Sequence, residues 1–196
     1  MKTGIAIVSL LIIGNVSLLS GKTDGCNFKY FSPLRSDGKI CFQDCLSEVI
    51  GYYGEFRSSV TYGHLHAGID IRGRFCEPVY SIGEGEVIAV FREFPNKTVY
   101  IKHVDRNGSF TSVYIHVEDI QVQVGDIVSN ASKIGRIFNR YELQDSDFHT
   151  SPHVHLEIRH CLADRGEATF SSMSLHELNR YSVNPITFLS ERNRMK

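Results

Sequence analysis

The 196-residue sequence has no tryptophan, only five prolines and no surplus of either charge. Lysine and arginine number 21 against 22 aspartate and glutamate, so the formal net charge is −1. A chain this close to neutrality lacks the field that recruits nucleic acid or an anionic membrane. Collagen-like and coiled-coil architectures are excluded because glycine and proline are unbiased and heptads are not sustained. The 42% hydrophobic content excludes a disordered chain and is typical of one globular domain.

Long hydrophobic runs are equally scarce, and the one that stands out covers residues 5–13. It follows Met1-Lys2 and precedes a stretch of small and polar residues that ends at Gly21, which is the pattern of an export signal. The run is too short to predict a transmembrane span. We expect residues 1–20 to be a signal peptide, or an uncleaved anchor that makes the sole membrane contact. The protein is then exported to the periplasm, the cell envelope or the medium.

The cysteines are five in number, and all of them follow the predicted signal. Export permits disulfides, but an odd count leaves at least one thiol free, lipidated or bonded to another chain. Zinc binding by Cys41 and Cys45 is disfavoured because no Cys/His pair follows at finger-like spacing. We therefore expect structural roles for the cysteines, which are Cys26, Cys41, Cys45, Cys76 and Cys161.

Short runs rich in β-branched residues alternate with turn signals between about residues 61 and 159. The segment Asp105-Arg106-Asn107-Gly108 separates two of these runs and predicts a hairpin turn. Repeated strands at this spacing favour an all-β sandwich or barrel. Residues 171–181 are predicted to form one short helix. The predicted strands lie at 86–91, 98–102, 112–116, 125–128, 133–137 and 153–158.

Histidine, in contrast, is plentiful, with nine residues in a chain that has no basic surplus. Two of them belong to the sequence Pro152-His153-Val154-His155-Leu156-Glu157. Because residues two apart on a strand point to the same face, His153, His155 and Glu157 are expected to lie side by side. Glu157 is then either an acceptor that orients a neighbouring histidine or a solvated strand carboxylate.

Two further motifs are His66-Ala67-Gly68-Ile69-Asp70 and Tyr114-Ile115-His116. A histidine and an aspartate, completed by an imidazole from elsewhere, provide the three protein ligands of a catalytic zinc site and leave a fourth position for water. Gly68 between the first two residues indicates a close approach of the backbone, although a plain turn would also use glycine.

Together the three motifs resemble those of the lysostaphin/LytM-type zinc metallo-endopeptidases, which cut peptidoglycan cross-links. Residues 78–87, 124–135 and 184–189 also resemble segments of these enzymes, so the resemblance covers roughly residues 52–190. It implies an all-β, antiparallel sheet or sandwich of the duplicated hybrid-motif type, with a zinc-containing groove and few short helices. The implied organisation is a signal at 1–20, an N-terminal extension at 21–51, a LytM-like peptidase domain at 52–190 and a tail at 191–196.

The resemblance also implies roles for five residues. The family's zinc ligands fall on His66, Asp70 and His155, and its two other active-site histidines fall on His116 and His153. Which of these two histidines acts as base and which as acid stays open. The remaining histidines have no such role: His64 is expected in a flanking loop, His103 on a strand, and three outside every motif, namely His149, His160 and His176.

The leading hypothesis is therefore a zinc-dependent endopeptidase that hydrolyses peptide bonds in peptidoglycan stem peptides or cross-links through a zinc-activated water. Peptidoglycan peptide is the expected substrate, Zn²⁺ the expected cofactor, and nucleic acid is not expected as a partner. One alternative is a non-catalytic envelope module that binds peptidoglycan or activates another cell-wall hydrolase. Another is a peptidase of the same chemistry that acts on a secreted protein.

Overall fold

Short antiparallel strands make up most of the regular structure in the computed structural model, which describes residues 28–58, 63–93, 97–142, 151–160 and 172–194. Within these residues two α-helices are present, α1 (Leu175–Tyr181) and α2 (Pro185–Arg194), with 3₁₀ segments at Ser36–Gly38 and Phe42–Glu48. The strands are β1 (Val49–Gly51), β2 (Phe56–Ser58), β3 (Gly63–Leu65), β4 (Ile69–Arg72), β5 (Pro78–Tyr80), β6 (Gly85–Phe91), β7 (Thr98–Asp105), β8 (Gly108–Ile115), β9 (Val117–Glu118), β10 (Ile127–Val128), β11 (Lys133–Ile137), β12 (His153–Arg159) and β13 (Ser182–Val183). The predicted all-β, antiparallel class is confirmed.

The largest sheet has the strand order β1-β4-β12-β8-β7-β6-β10, and β13 pairs with β12 outside this path. Every pairing in it is antiparallel. Strand β12 lies between β4 and β8 and is buried along its whole length. Apolar residues alternate along it with His153, His155, Glu157 and Arg159, so β12 has one apolar and one polar face, and both are buried.

Strands β7 and β8 form a long hairpin that pairs Thr98 with Ile115 at one end and Asp105 with Gly108 at the other. Gly108 has a φ of +106°, which glycine adopts without steric cost. The Asn107 N–H donates to the Asp105 carboxylate over 2.7 Å. The hairpin turn predicted at residues 105–108 is thus confirmed.

Two smaller sheets complete the strand pairing in the described part of the chain. One has the order β5-β11-β9 and the other is the hairpin β2-β3. The β2-β3 hairpin is tied to the segment that precedes α1, because the Leu65 N–H donates to the Ser172 carbonyl over 2.7 Å. Ser172 is therefore part of a β-bridge and not of a helix. The short helix predicted over 171–181 is present, but α1 begins only at Leu175.

A single large hydrophobic cluster includes residues from both sides of position 52. Tyr30 and Phe42, at 1% and 0% exposure, pack in the same cluster as Ile69 of β4. Burying side chains of this size contributes about 1.5–3 kcal/mol each. Asn193 of α2 accepts the Tyr30 N–H over 2.9 Å, which joins the two ends of the described chain. The division into an extension at 21–51 and a domain at 52–190 stays a prediction.

The described cysteines are in different states. Cys41 is disulfide-bonded, whereas Cys45 and Cys76 are free thiols. Burial raises the pKa of the Cys45 thiol to about 12, so this group is an inert component of the core. Cys26, Cys161 and the predicted signal at 1–20 lie outside the described residues. In the ranges that are described, no helix combines the length and apolarity needed to cross a bilayer.

Candidate metal centre

Strand β12 contributes two of the predicted residues and aligns them on one face. His153 and His155 are 6% and 7% exposed, and Glu157 is 1% exposed. The His155 Nε2 atom lies 3.2 Å from Glu157 Oε1, as the two-residue spacing predicts. Of the two interpretations of Glu157, the structure therefore favours an acceptor beside a histidine and contradicts a solvated carboxylate.

Strand β4 brings Asp70 directly opposite His155, because the register of the β4–β12 pair matches these two residues. His66 lies just before β4, and its side chain contacts both Asp70 and His155. Gly68, between His66 and Asp70, allows the chain to press against β12: a Cβ atom there would overlap the Leu156 carbonyl and lie 2.8 Å from His155 Nε2. The close backbone approach expected at Gly68 is confirmed.

Three ligand atoms from these residues face one another. His66 Nε2 lies 2.8 Å from His155 Nδ1 and 3.1 Å from Asp70 Oδ1. His155 Nδ1 lies 3.0 Å from the same Asp70 oxygen. We call His66, Asp70 and His155 the His–Asp–His cluster. Sequence reasoning predicted these residues as metal ligands, and the structure brings all three together as a group that could hold a metal ion.

The cluster fits the requirements of zinc. In a tetrahedral site with bonds of about 2.0–2.1 Å, neighbouring ligand atoms are about 3.3 Å apart, so the observed spacings need only a slight opening to admit the ion. Two imidazoles and one carboxylate are a ligand set that zinc accepts in catalytic sites. All three residues are buried, at 5–8% exposure, so ordered protein walls surround the site.

Each member of the cluster has a second partner that fixes its orientation. His66 Nδ1 donates to the Tyr52 carbonyl over 3.0 Å, so Nε2 is the nitrogen that is available to a metal ion. His155 Nε2 donates to Glu157, so Nδ1 is the nitrogen that is available to a metal ion. The outer oxygen of Asp70, Oδ2, accepts a hydrogen bond from Arg57 over 2.9 Å. Such outer partners set the tautomer and aim of metal-binding groups.

The electrostatics of the cluster favour positive charge at its centre. Burial disfavours ionisation of Asp70, but hydrogen bonds from His155 and His66 outweigh it and hold the pKa of Asp70 well below its usual range. Burial likewise disfavours the His155 imidazolium, yet hydrogen bonds to Asp70 and Glu157 raise the pKa of His155 to about 9. The same carboxylates that stabilise a proton there would stabilise a metal cation.

His116 and His153 lie beside the cluster and outside it. The His153 Nδ1–H donates to the Ser151 carbonyl over 2.8 Å, and its Nε2 lies 3.9 Å from Asp70 Oδ1. The His116 ring centroid is 5.2 Å from that of His153 and 6.5 Å from that of His155. His116 has a φ of +66°, an uncommon conformation for a non-glycine residue that is over-represented at functional sites. The structure thus places both predicted histidines next to the cluster.

Sequence reasoning missed several supporting residues. The Tyr52 carbonyl is a backbone atom and carries no residue-type signal. Arg57 lies outside the three motifs, and its contact with Asp70 joins two separate segments of the chain. Beyond Glu157, the Arg159 Nε donates to Glu157 Oε2 over 2.6 Å and the Arg159 Nη1 to the Tyr100 hydroxyl over 3.0 Å.

The other histidines are distributed as follows. His64 lies in β3 instead of the flanking loop expected for it, because Gly63–Leu65 pairs with β2. His103 is on strand β7 and 1% exposed, as expected. His160 and His176 are exposed and away from the cluster, and His149 lies outside the described residues.

Comparison with known proteins identifies a family. A model of peptidase family M23 matches residues 64–170, more than half of the chain. An uncharacterized metalloprotease of Buchnera aphidicola is 33% identical over 94 residues, 47% of this chain and 23% of the relative. The peptidoglycan DD-endopeptidase ShyB of Vibrio cholerae is 32% identical over 93 residues, 47% of this chain and 20% of the relative. The match thus spans about a fifth of the length of these two relatives.

The fold is also similar to a solved structure. The solution structure of lysostaphin aligns with a TM-score of 0.50 over 74% of this chain and 50% of that chain, at 19% sequence identity. At this identity the likeness establishes the fold alone. The resemblance to lysostaphin-type enzymes that the sequence motifs indicated is confirmed by these findings.

Proposed function

The chain belongs to peptidase family M23, and on that premise we propose that it is a zinc-dependent endopeptidase that hydrolyses peptide bonds in peptidoglycan stem peptides or cross-links. The observation that carries the proposal is the His–Asp–His cluster, in which three ligand atoms face one another while their outer atoms are held by other groups. A merely structural hydrogen-bonded cluster has no need for two imidazole nitrogens and a carboxylate oxygen aimed at one point.

In this proposal zinc is held by His66 Nε2, Asp70 Oδ1 and His155 Nδ1. When bound, zinc supplies Lewis acidity and lowers the pKa of water toward neutrality. The chain supplies three ligands, which leaves the fourth position of a tetrahedral site for water or substrate. The Tyr52 carbonyl and the Glu157 carboxylate keep the two imidazoles in the tautomers that this ligation requires.

His116 and His153 are the proposed proton-transfer groups. His153 Nδ1 is occupied by the Ser151 carbonyl, so its Nε2 is the nitrogen that faces the cluster and accepts or donates a proton. Peptide hydrolysis needs one group to accept a proton from the attacking water and one to protonate the leaving amine. Two histidines beside the same cluster satisfy that need, and both can donate hydrogen bonds to an oxyanion.

Peptidoglycan is the proposed substrate because ShyB, a relative with 32% identity over 93 residues, is a peptidoglycan DD-endopeptidase. The proposed location follows from the substrate: the protein is exported to the envelope or beyond, with residues 1–20 as the signal or anchor. The near-neutral net charge of −1 indicates that capture of substrate depends on the expected groove and on zinc more than on a basic surface.

The test is incubation of the zinc-loaded full chain with purified sacculi, followed by mass analysis of the released fragments. We expect peptide fragments from the wild type, none after chelation, and a rate about 10²–10⁴-fold lower for His153→Ala, because positioned acid–base groups contribute that much. His176→Ala, which removes an exposed histidine of α1, is the matched control and should retain full activity.

Equal release by the wild type and His153→Ala would remove the assignment of His153. Sacculi left intact by a zinc-loaded wild type that cleaves secreted proteins would redirect the activity to a protein substrate. If the chain binds peptidoglycan without zinc and does not cleave it, the proposal of an enzyme would be wrong and the protein would be a binding module.

A further inference from the structure

We propose that Arg57, seated against Gly51, is a positioning residue that holds Asp70 as a monodentate ligand, with Oδ1 toward the metal and Oδ2 turned away from it. The inference rests on the proposed function, since it concerns how the same zinc site keeps one coordination position open. Residues 51–58 lie before the segment that matches the family model, which begins at residue 64.

The two oxygens of Asp70 have separate partners. Oδ1 lies 3.1 Å from His66 Nε2 and 3.0 Å from His155 Nδ1, at the centre of the cluster. Oδ2 lies 2.9 Å from Arg57 Nη2. A guanidinium bound to one oxygen opposes the rotation that would bring both oxygens to the same metal ion.

Glycine at position 51 makes room for this pair. The antiparallel register of β1 and β4 places Gly51 opposite Asp70. A Cβ atom at Gly51 would overlap both Arg57 Nη2 and Asp70 Oδ2. Any larger residue must therefore displace the guanidinium, the carboxylate or both. The geometry of the Arg57–Asp70 pair thus depends on glycine at position 51.

A third residue balances the charge. Glu55 Oε2 lies 3.2 Å from the same Arg57 Nη2 atom, and it also accepts the Tyr52 N–H over 3.1 Å. The guanidinium thus lies between two carboxylates and adds little net positive charge beside the metal. For this reason its main effect on zinc is expected through orientation of Asp70 and not through repulsion of the ion.

The consequence for chemistry concerns coordination number. A bidentate Asp70 would occupy the position that water or substrate needs, whereas a monodentate Asp70 leaves it open. Arg57 Nη2 contacts Asp70 Oδ2 over 2.9 Å and lies 3.5 Å from His66 Nδ1, which already donates to the Tyr52 carbonyl. Arg57 therefore touches no reacting atom and acts mainly through Asp70. Outer partners of this kind typically change metal affinity 10- to 100-fold when removed.

The test compares the wild-type full chain with three variants: Glu55→Gln, Arg57→Met and the double variant. The double variant removes one positive and one negative charge, so its net charge equals that of the wild type. Zinc affinity is measured by competition with a chelator, and the visible absorption of the Co²⁺-substituted protein reports coordination number. Arg74→Met, which breaks the exposed Arg74–Asp37 pair, is the matched control. Melting of the metal-free proteins reports structural damage.

We expect Glu55→Gln and Arg74→Met to stay within about twofold of wild-type zinc affinity. Arg57→Met and the double variant should bind zinc about tenfold more weakly, and their Co²⁺ absorption should weaken as a fifth ligand joins. Gly51→Ala should reproduce the spectral change without altering any charge.

Wild-type affinity and spectrum in the double variant would overturn the inference and leave the proposed function intact. Weaker affinity or a lower melting temperature with an unchanged Co²⁺ spectrum would also overturn it, because Arg57 would then be merely structural. A wild-type chain that binds no zinc would overturn both the inference and the proposed function.

Discussion

Two buried histidines of the large sheet, His155 on β12 and His103 on β7, have opposite surroundings. His103 Nδ1 lies 2.7 Å from the Glu84 carbonyl and its Nε2 lies 2.7 Å from the Ser112 hydroxyl. Both of these partners are neutral, and burial lowers the pKa of His103 to about 4. The nitrogens of His155 instead face carboxylates, and its pKa is raised to about 9 in spite of burial.

The difference shows that burial of a histidine on a strand does not by itself make a functional site. Each nitrogen of His103 has one neutral partner, and its ring stacks on Phe110 with centroids 4.9 Å apart, so the residue is a satisfied part of the core. His155 Nδ1 instead faces a second imidazole nitrogen and a carboxylate oxygen, a set that a single proton cannot satisfy completely. Ligand atoms that face one another are the distinguishing feature.

The largest expected contrast between the two histidine environments is their response to zinc. With free zinc held at a thousandfold its dissociation constant, binding to the native state should stabilise the wild type by about 4 kcal/mol. Asp70→Asn should lose nearly all of this gain because the ionised ligand is missing, whereas His103→Gln should retain it. Urea unfolding with and without buffered zinc measures both. An equal zinc response in Asp70→Asn would contradict the ligand assignment.

The next contrast is in the pH dependence of stability. The folded-state pKa of His103, about 4, is below its ordinary value of 6.5. Above pH 6.5 the ring is neutral in both states. As the pH falls toward 4, the unfolded chain takes up a proton that the folded chain resists, so this group destabilises the fold by about 3 kcal/mol across that window.

The measurement is the free energy of unfolding of the chelated protein at pH 7, 5.5 and 4, for the wild type and His103→Gln. The groups of the His–Asp–His cluster titrate in both proteins, so their contribution cancels in the difference. We expect the variant to lose less stability than the wild type between pH 6.5 and 4. Parallel pH profiles would show that His103 is not the group responsible.

Much of this contrast could be predicted from the sequence because it depends on local spacing. The period of two on a strand puts His153, His155 and Glu157 on one face, and the motif from His66 to Asp70 is closed within five residues. His103, which belongs to no motif, was expected to be an ordinary strand residue, and it is one. Motif order and strand pattern were sufficient to predict where these residues lie.

The supports of the cluster could not be predicted in the same way. The Tyr52 carbonyl is a backbone atom, and the contact of Arg57 with Asp70 depends on how β1, β2 and β4 come together. His64 shows the same limit in reverse: its pairing with Arg57 across β2 and β3 is a tertiary feature, so a loop was expected where a strand exists. Contacts between segments, unlike spacing within one, leave no periodic signal.

The smallest expected effect comes from removing a hydrogen bond in the neutral surroundings of His103. Ser112→Ala removes the partner of His103 Nε2 and a neighbour of the Tyr114 hydroxyl, 3.2 Å away. The Tyr114 hydroxyl keeps its bond from the Ile82 N–H, but the buried His103 Nε2 is left unpaired, which should cost about 1 to 2 kcal/mol in unfolding free energy. Zinc affinity should stay at the wild-type value. Ser109→Ala, at an exposed position of the same strand, is the control and should change stability by less than about 0.5 kcal/mol. A Ser112→Ala variant with wild-type stability but weaker zinc binding would reverse the distinction, because it would couple the His103 environment to the metal centre.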